Sequence, residues 1–359
     1  MARFIARNII RFALLMAAVS FVVFALVSLS PIDPVQANVG QAAYANMSEA
    51  KRVQLAEYWG TGTPLLQRYA NWLGALVTGD MGTSLRFNAP VVQVIAERAG
   101  NSFLLMSVAW VASGVIGFAL GVAAGVRRGG WLDRAVRVYC YALSATPSFW
   151  IGLVLLTVFA VQLGWFPLGM AVSVGAAAGQ TSLSDVLSHL ALPAITLSLT
   201  GVANIALHTR EKTVDIMEGD FVRYARTRGE GTTQIVRHHV LRNVALPAIT
   251  LQCSLISEIF GGSVLVEQVF SYPGLGQAAV TAGLGSDAAL LAGIALVSAA
   301  LVFGGNTLAN ILYGVVDPRM RSRETHGKRD DSGRGTGAGC EFAADRAMSE
   351  GALSAGKVA

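Results

Sequence analysis

Residues 223–250 read RYARTRGEGTTQIVRHHVLRNVALPAIT, a basic and polar island in a chain that is otherwise mostly apolar. Five Arg and two His precede Leu246 and Pro247, where an apolar run resumes. Gly229 and Gly231 divide the island into two short helical pieces, because Gly is a poor helix-interior residue and a good helix terminator. The second piece, about 232–244, places apolar residues on one side and basic residues on the other. This length and composition predict a small folded platform instead of a plain connection.

The composition around this island indicates a membrane protein. Hydrophobic residues make up 53% of the chain and charged residues 14%, whereas a soluble domain carries about 25% charge. Several apolar runs approach the roughly 20 residues that a helix needs to cross a bilayer. We therefore predict an all-α integral membrane protein with six transmembrane helices, at about 12–29, 102–126, 138–163, 190–207, 246–269 and 290–315.

The chain divides into four segments. Residues 1–30 are predicted to be a cytoplasmic segment and the first span, 31–100 an extracytoplasmic region, and 101–316 a five-helix core containing the loop 210–246. Residues 317–359 are rich in Gly, Ser and charge without an apolar period, which predicts disorder. A cleaved signal peptide is the alternative to the first span. The 18-residue apolar run at 12–29 exceeds the 7–15 residues of a signal core and favours an uncleaved span.

The positive charges predict the orientation. Of 27 Lys and Arg residues, 22 lie before the first span, in 127–137, in 210–242 or after residue 316. The other five lie in 31–100, and the two remaining loops on that side have none. The positive-inside rule then places both termini and the platform in the cytoplasm. The excess of five positive charges thus reflects membrane topology and does not indicate nucleic acid binding.

Two features inside the spans predict local structure. Gly117, Gly121 and Gly125 recur every four residues and form a small-residue ridge for close helix packing. In the third span, Pro147 removes a backbone hydrogen bond and predicts a kink.

Polar side chains within the spans are candidates for function. A charge at mid-bilayer costs on the order of 3 kcal/mol, so a carboxylate there is expected to face a pore or a partner. Glu258 is placed to line a pathway or to contact a partner subunit. Glu267, near the outer end of the fifth span, has a structural or gate-side role. Asn306 and Asn310, four residues apart on the sixth span, are expected to form interhelical hydrogen bonds.

The sequence carries no recognisable catalytic constellation. The phosphate-binding pattern GxxxxGK[ST] is absent, as are HExxH, GxSxG and CxxC. We therefore expect no catalytic residue, no bound cofactor and no metal site. A six-span protein of this kind is expected to transport or to anchor something.

The platform resembles the cytoplasmic EAA loop of binding-protein-dependent ABC importer permeases, which has the form E-A-A-x-x-x-G followed by I-x-L-P. Arg223, Tyr224, Ala225 and Gly229 occupy its first half, and Leu246-Pro247 its end. Arg223 replaces the Glu of the general motif, as in the oligopeptide, dipeptide and nickel branch. Segments similar to that branch follow in order over residues 1–323, namely SPIDPV, GDMGTS, PVVQVIAERAGNS, TPSFWIGLVLL, LGWFPLG, LPAITLSL, VEQVFSYPGLG and ILYGVVDPRMR. The tail beyond Ser322 departs from the family pattern.

The resemblance implies a type I ABC importer permease that works with three partners. These are a second permease subunit that completes the pore, a cytoplasmic ABC ATPase dimer, and an extracytoplasmic substrate-binding protein. ATP is then bound by the ATPase, and the helix after Gly229 is the coupling helix. Pro247 in the first turn of the fifth span would fix the entry angle. The implied coupling residues are Arg223, Ala225, Arg226, Arg228, Gly229, Arg237, Leu246 and Pro247. The pathway or gate candidates are Glu258, Glu267, Pro273, Gly274 and Gly276.

Several functions remain open at the level of sequence. Within the family, di- or oligopeptides and nickel or metallophores are both possible substrates of an inner-membrane, multi-pass permease surrounded by lipid. A different class, an ion-coupled secondary transporter, would use Glu258 or Glu267 as a proton carrier and would not need the platform. A membrane anchor or receptor would bind a partner through 31–100 and transport nothing.

Overall fold

The computed structural model describes residues 2–29, 36, 39, 41–58, 63–171 and 182–316. Residues Met1–Asn310 form one compact unit, and every contact described below lies within it. The predicted disordered tail and the SPIDPV segment lie outside the described residues.

The described residues are almost entirely helical. Up to the first short strands, the helices are α1 (Ala2–Ser28), α2 (Gln41–Ala45), α3 (Glu49–Tyr58) and α4 (Leu65–Val77). Strands β1 (Thr83–Ser84) and β2 (Ala89–Pro90) pair antiparallel, with Thr83 opposite Pro90. The helices that follow are α5 (Val91–Val126), α6 (Trp131–Ser144), α7 (Ser148–Leu155, continuing as a π-helix over Leu156–Gln162), α8 (Leu183–Met217), α9 (Asp220–Thr227), α10 (Thr232–Ile235, continuing as a π-helix over Val236–Val240), α11 (Leu241–Ser254), α12 (Ile256–Val269), α13 (Leu275–Leu284) and α14 (Ala288–Val316).

Long apolar helices confirm the helical membrane class. Among the described residues, Val91–Val126, Leu183–Met217 and Ala288–Thr307 are each long and apolar enough to cross a bilayer. Two bent pairs, Trp131–Ser144 with Ser148–Gln162 and Thr232–Ser254 with Ile256–Val269, bring the number of candidate spans to as many as five. A shorter apolar helix covers Ile10–Leu26. The number of six spans stays a prediction.

Helices α5 and α8 pack closely through the glycine ridge, as predicted. A Cβ atom on Gly121 would lie 2.5 Å from the Thr209 Cβ atom, and one on Gly125 would lie 2.5 Å from the Thr213 Cβ atom. A Cβ on Gly117 would lie 2.8 Å from the Ile205 Cβ. Real Cβ atoms do not approach so closely, so each of these positions requires Gly for the two backbones to meet.

Three predicted spans differ from the structure in shape. The third is not one kinked helix: α6 ends before Pro147 and α7 starts after it, at an angle of 105°. The residue before a proline is disfavoured in helical geometry, which explains a full break. The fourth, α8, extends to Met217, ten residues beyond the predicted end at Leu207. The fifth bends by 49° at Leu255, where neither Gly nor Pro marks the sequence.

The segment before α5 packs on the core instead of folding separately. Trp72 of α4 is buried and lies against Phe24 of α1, with ring centroids 5.7 Å apart. The hydroxyl groups of Ser20 and Tyr69 are hydrogen-bonded at 2.8 Å.

The predicted interhelical hydrogen bond of Asn306 is confirmed. Ser257 of α12 donates a hydrogen bond to Asn306 Oδ1 of α14 at 2.8 Å. The side chain of Asn310 lies outside the described residues.

Candidate functional site

The platform, residues 210–246, is a packed structure at the Val126 end of α5. Its buried apolar residues form one small core together with Val122 of α5. These residues are Val222, Ala225, Ile235, Val240 and Val244. Of the predicted coupling residues, Ala225 thus lies in the base of the platform, where it links α9 to the long helix α5.

Gly229 forms the turn between the two helical pieces. Its φ angle is +85°, in the left-handed region that favours glycine. The N–H of Gly229 donates to the Arg226 carbonyl at 3.0 Å, and the N–H of Glu230 donates to the Ala225 carbonyl at 3.2 Å. This is the hydrogen-bonded C-terminal cap of α9, and it confirms the predicted helix end.

The basic side chains of the platform are exposed. Arg223 is 3.5 Å from Asp220 and Arg228 is 4.0 Å from Glu230, both with guanidinium groups largely open to solvent. Arg226 and Arg237 are exposed as well. Tyr224, at 66% exposure, adds an open aromatic ring beside them. The arrangement is a rigid apolar base that presents cationic and aromatic side chains, which suits an acidic partner surface.

The connection from the platform into the following helices differs from the prediction. The second piece does not end near residue 244, because α10, the π-helical turn and α11 run together from Thr232 to Ser254. Leu246 and Pro247 therefore lie inside α11 and not in the first turn of a new helix, so that part of the prediction is wrong. A proline there removes one backbone hydrogen bond, which neighbouring helices in membranes can offset. The helix itself, and not the proline, makes the connection continuous.

A buried ion pair lies at the same end of the molecule as the platform, and the sequence analysis did not predict it. Asp133, at the start of α6, is fully buried and receives two hydrogen bonds from Arg210 of α8, at 2.5 and 2.9 Å. The N–H of Gly129 donates to the same carboxylate at 2.9 Å. Asp133 stands among four arginines in 127–137, and this lone acidic residue in a basic turn is the sequence signal that could have revealed it.

At the opposite end of α5, Glu267 occupies a fully buried site with three hydrogen bonds. Ser102 of α5 donates to Glu267 Oε1 at 2.6 Å. The backbone N–H groups of Gly276 and Gln277 donate to Oε2 at 2.7 and 3.1 Å. Those N–H groups belong to the first turn of α13, where a helix lacks internal partners and favours a negative charge. Glu267 therefore joins α12, α5 and α13.

The other gate candidates of the same segment surround this carboxylate. A Cβ on Gly274 would lie 2.3 Å from the Glu267 carboxyl carbon, and one on Gly276 would lie 2.6 Å from the Val264 Cα. The Pro273 carbonyl accepts a hydrogen bond from Asn101 Nδ2 at 2.9 Å. We call residues 267–277 the capped turn. The structure thus brings together Glu267, Pro273, Gly274 and Gly276, and their predicted role in a gate stays a prediction.

Glu258 is separate from the capped turn. It lies in the first turn of α12, nine residues before Glu267, and its side chain is exposed. Nine helical residues span on the order of 13 Å. The two carboxylates of one helix therefore differ completely in environment, and the predicted pathway or partner role of Glu258 stays a prediction.

A groove of about 300 Å³ lies beside α11, between that helix, α5 and α8. At its edge the indole N–H of Trp110 donates to the Gln252 carbonyl at 2.9 Å, and Gln252 Nε2 donates to the Trp110 carbonyl at 2.6 Å. This reciprocal pair fastens α11 to α5 three residues before the bend at Leu255. Sequence reasoning did not single out either residue.

These observations define a class: a helical membrane protein with an exposed basic platform at one end of its longest helix and a carboxylate-capped turn at the other. Residues 117–322 match the family model described as the inner membrane component of binding-protein-dependent transport systems, and residues 1–103 match that of the N-terminal part of such components. The chain therefore belongs to the family of inner membrane components of binding-protein-dependent transport systems.

Relatives that align with most of the chain are also permease proteins. The chain is 34% identical over 321 residues to the oligopeptide transport system permease protein AppB of Bacillus subtilis, covering 89% of this chain and 99% of the relative. It is 35% identical over 308 residues to a peptide permease protein of Brucella suis, covering 86% and 95%. It is 30% identical over 325 residues to a peptide ABC transporter permease protein of Sinorhizobium fredii, covering 89% and 100%.

Family membership settles the class of function. The chain is a non-catalytic permease subunit of an ABC importer and a multi-pass protein of the inner membrane. An ATPase and a substrate-binding protein are the partners that membership implies. The alternatives of an ion-coupled secondary transporter and of a membrane anchor are set aside, because neither is a binding-protein-dependent permease.

Proposed function

We propose that this chain forms half of the translocation pore of an ATP-driven importer of di- or oligopeptides. The other half is a second permease subunit. The platform binds an ATPase dimer in the cytoplasm, and the substrate-binding protein delivers peptide on the far side. The chain itself binds no nucleotide and no metal cofactor. The relatives named above for oligopeptide or peptide transport support the choice of substrate.

The observation that carries the proposal is the placement of two unlike sites at the two ends of α5. This helix has 36 residues and is therefore about 54 Å long, more than the thickness of a bilayer with its headgroups. The exposed arginines lie at its Val126 end and the capped turn at its Val91 end. With the platform and both termini in the cytoplasm, the capped turn belongs to the extracytoplasmic side, where the binding protein docks.

The coupling role follows from the continuity of the helices. A force applied to α9 and α10 reaches α11 directly, because α10 and α11 are one uninterrupted helical run from Thr232 to Ser254. The platform core packs the same run against α5. Closure of the ATPase dimer would therefore move the platform, α11 and the adjoining part of α5 together.

Reconstitution tests this function. The chain is co-expressed with its second permease, ATPase and binding protein, purified, and placed in proteoliposomes with ATP inside. We expect uptake of a labelled peptide that requires ATP and the binding protein and is unaffected by a protonophore. Uptake of nickel or a metallophore in place of peptide would assign the alternative substrate. ATP-independent uptake would contradict the proposal.

Orientation is tested separately with single-cysteine variants in whole cells. Tyr224→Cys, at the exposed platform, is expected to resist a membrane-impermeant maleimide. Leu284→Cys, 73% exposed at the end of α13, is expected to react. The reverse pattern would place the platform outside the cell and refute its role as the ATPase site.

A further inference from the structure

Helix α13 lies between two buried carboxylates, Glu267 and Asp287. Glu267 accepts hydrogen bonds at its N-terminus, as described above. Beyond its C-terminus, Asp287 is fully buried, and its Oδ2 accepts hydrogen bonds from Ser84 Oγ at 2.7 Å and the Arg86 N–H at 3.1 Å. Its Oδ1 accepts from the Leu290 N–H at 3.1 Å. Asp287 therefore attaches the β1–β2 hairpin to the start of α14.

An apolar core joins the parts that these carboxylates connect. Val91 and Val94 of α5, Leu275 of α13 and Leu290 of α14 are buried together in one cluster. We call residues 83–102 and 271–294 the hairpin body. Hydrogen bonds join its two segments: Arg98 Nη1 donates to Gln277 Oε1 at 2.9 Å, and the Leu275 N–H donates to Ser102 Oγ at 2.8 Å. The hairpin body is thus a single packed piece.

Two helices, α5 and α12, connect the hairpin body to the platform side of the molecule. Helix α12 starts at the 49° bend after α11 and ends at the capped turn. The Trp110–Gln252 pair fixes α11 to α5 just before the bend, so a change in the angle between α11 and α12 would occur at Leu255. Glu267 lies in the last turn of α12, which is the turn next to the hairpin body.

We propose that Glu267 is a positioning residue for transport, the joint through which α12 moves the hairpin body when the platform moves. This inference rests on the proposed function and deepens it. Without the joint, the last turn of α12 could shift while α13 and the hairpin stayed in place. ATP hydrolysis would then continue with less substrate passing per cycle.

The chemistry of the site requires a carboxylate. Both oxygens of Glu267 act as acceptors, Oε1 for the Ser102 hydroxyl and Oε2 for two N–H groups. Glutamine has the same shape but replaces one acceptor oxygen with an NH₂ donor. If the amide oxygen keeps the two N–H groups, the NH₂ group faces Ser102 Oγ, whose own proton loses its acceptor. Glu267→Gln therefore removes the charge and one hydrogen bond of the joint with little change in volume.

The test compares Glu267→Gln with Glu97→Gln in the reconstituted full complex. Both variants neutralise a glutamate, but Glu97, five residues before Ser102 in α5, is exposed. We expect the ratio of peptide taken up to ATP hydrolysed to fall about tenfold or more in Glu267→Gln, from the loss of charge-assisted hydrogen bonds. Glu97→Gln should keep the wild-type ratio. Glu267→Asp, which keeps the charge on a shorter side chain, should recover part of it.

A purely structural role gives a different result. Uptake and ATP hydrolysis would then fall in proportion to the amount of folded complex, and an unchanged ratio within twofold would overturn the proposal. Should Glu267→Gln fail to assemble, Ser102→Ala removes one of the three hydrogen bonds and is judged by the same ratio, with a smaller fall expected.

A second measurement does not depend on the substrate. The maleimide labelling rate of Leu284→Cys is compared with and without trapped nucleotide. If Glu267 is the joint, the labelling rate depends on nucleotide in the protein that keeps Glu267. In Glu267→Gln the rate should no longer depend on nucleotide. The same nucleotide dependence in both would overturn the joint. A complex that takes up no peptide but shows this loss would refute the proposed substrate and leave the joint supported.

Discussion

The platform and the capped turn treat charge in opposite ways. The platform leaves Arg223, Arg226, Arg228 and Arg237 in water, where their ion pairs are long and exposed. The capped turn removes Glu267 from water completely and surrounds it with three hydrogen bonds. Exposed ion pairs contribute about 0–1 kcal/mol, whereas a buried charge is tolerated only when it is bonded.

The difference separates two kinds of functional site. Exposed cations keep their charge available to another molecule, which is what the proposed binding of the ATPase to the platform requires. A buried and saturated carboxylate has nothing left to offer a ligand, so the capped turn is built to hold helices of the same chain together. In the mechanism proposed above, the platform would receive movement from the ATPase and the capped turn would carry it to the other side of the membrane.

The largest effect is expected at the Asp133–Arg210 pair. This pair lies at the platform end of the molecule, but unlike the arginines of the platform it is buried. Asp133→Ala leaves the Arg210 guanidinium without its partner in a site where its side chain is 16% exposed. Breaking such a pair lowers the free energy of unfolding by about 3–5 kcal/mol. The thermal midpoint of the purified complex in detergent measures the loss.

The matched control is Glu218→Ala at the same end. Glu218 pairs with Arg128 at the surface, with a side chain that is 59% exposed. Its loss should lower the free energy of unfolding by about 1 kcal/mol or less. Equal falls in the two variants would mean that burial does not distinguish the two pairs.

The second effect concerns the helix contact that connects the two ends. Gly121→Ala places a Cβ atom 2.7 Å from the Ala206 carbonyl oxygen and should cost about 1–3 kcal/mol by overpacking. Gly100→Ala, in the same helix with nothing within 4 Å, should stabilise by about 0.5–1 kcal/mol. Thermal midpoints that move in opposite directions are expected. A shift of the same sign would contradict the close α5–α8 contact.

The third effect sharpens the description of the platform itself. Gly229→Ala forces a side chain into a left-handed turn at a cost of about 1–2 kcal/mol, whereas Gly231, with φ −74°, accepts Ala without strain. We expect the affinity of the permease pair for the ATPase, and ATP-driven uptake, to fall roughly 5–30-fold in Gly229→Ala and to stay unchanged in Gly231→Ala. Binding of purified ATPase to the permease pair measures the change in affinity. Equal affinity and uptake in the two variants would mean that the Gly229 turn takes no part in coupling.

Local patterns predicted what depends on local geometry. The four-residue glycine period identified the ridge between α5 and α8, and the Gly229 turn followed from the preference of glycine for helix ends. The distant partners were not accessible in this way. Arg210 meets Asp133, 77 positions earlier, and Glu267 meets Ser102, 165 positions earlier. The bend at Leu255 follows a contact with Trp110, 142 positions before Gln252, and no residue type marks it in the sequence.

The smallest effect is expected for a single exposed arginine. Arg226→Gln should change the free energy of unfolding by no more than about 0.5 kcal/mol, because the side chain lies in water. It should still weaken ATPase binding a few-fold, and more strongly at low salt than at high salt, because exposed charges are screened by ions. Arg134→Gln removes an exposed charge at the same end of the molecule but outside the platform. If that variant weakens ATPase binding equally, the effect comes from net charge, and the platform surface is not specifically recognised.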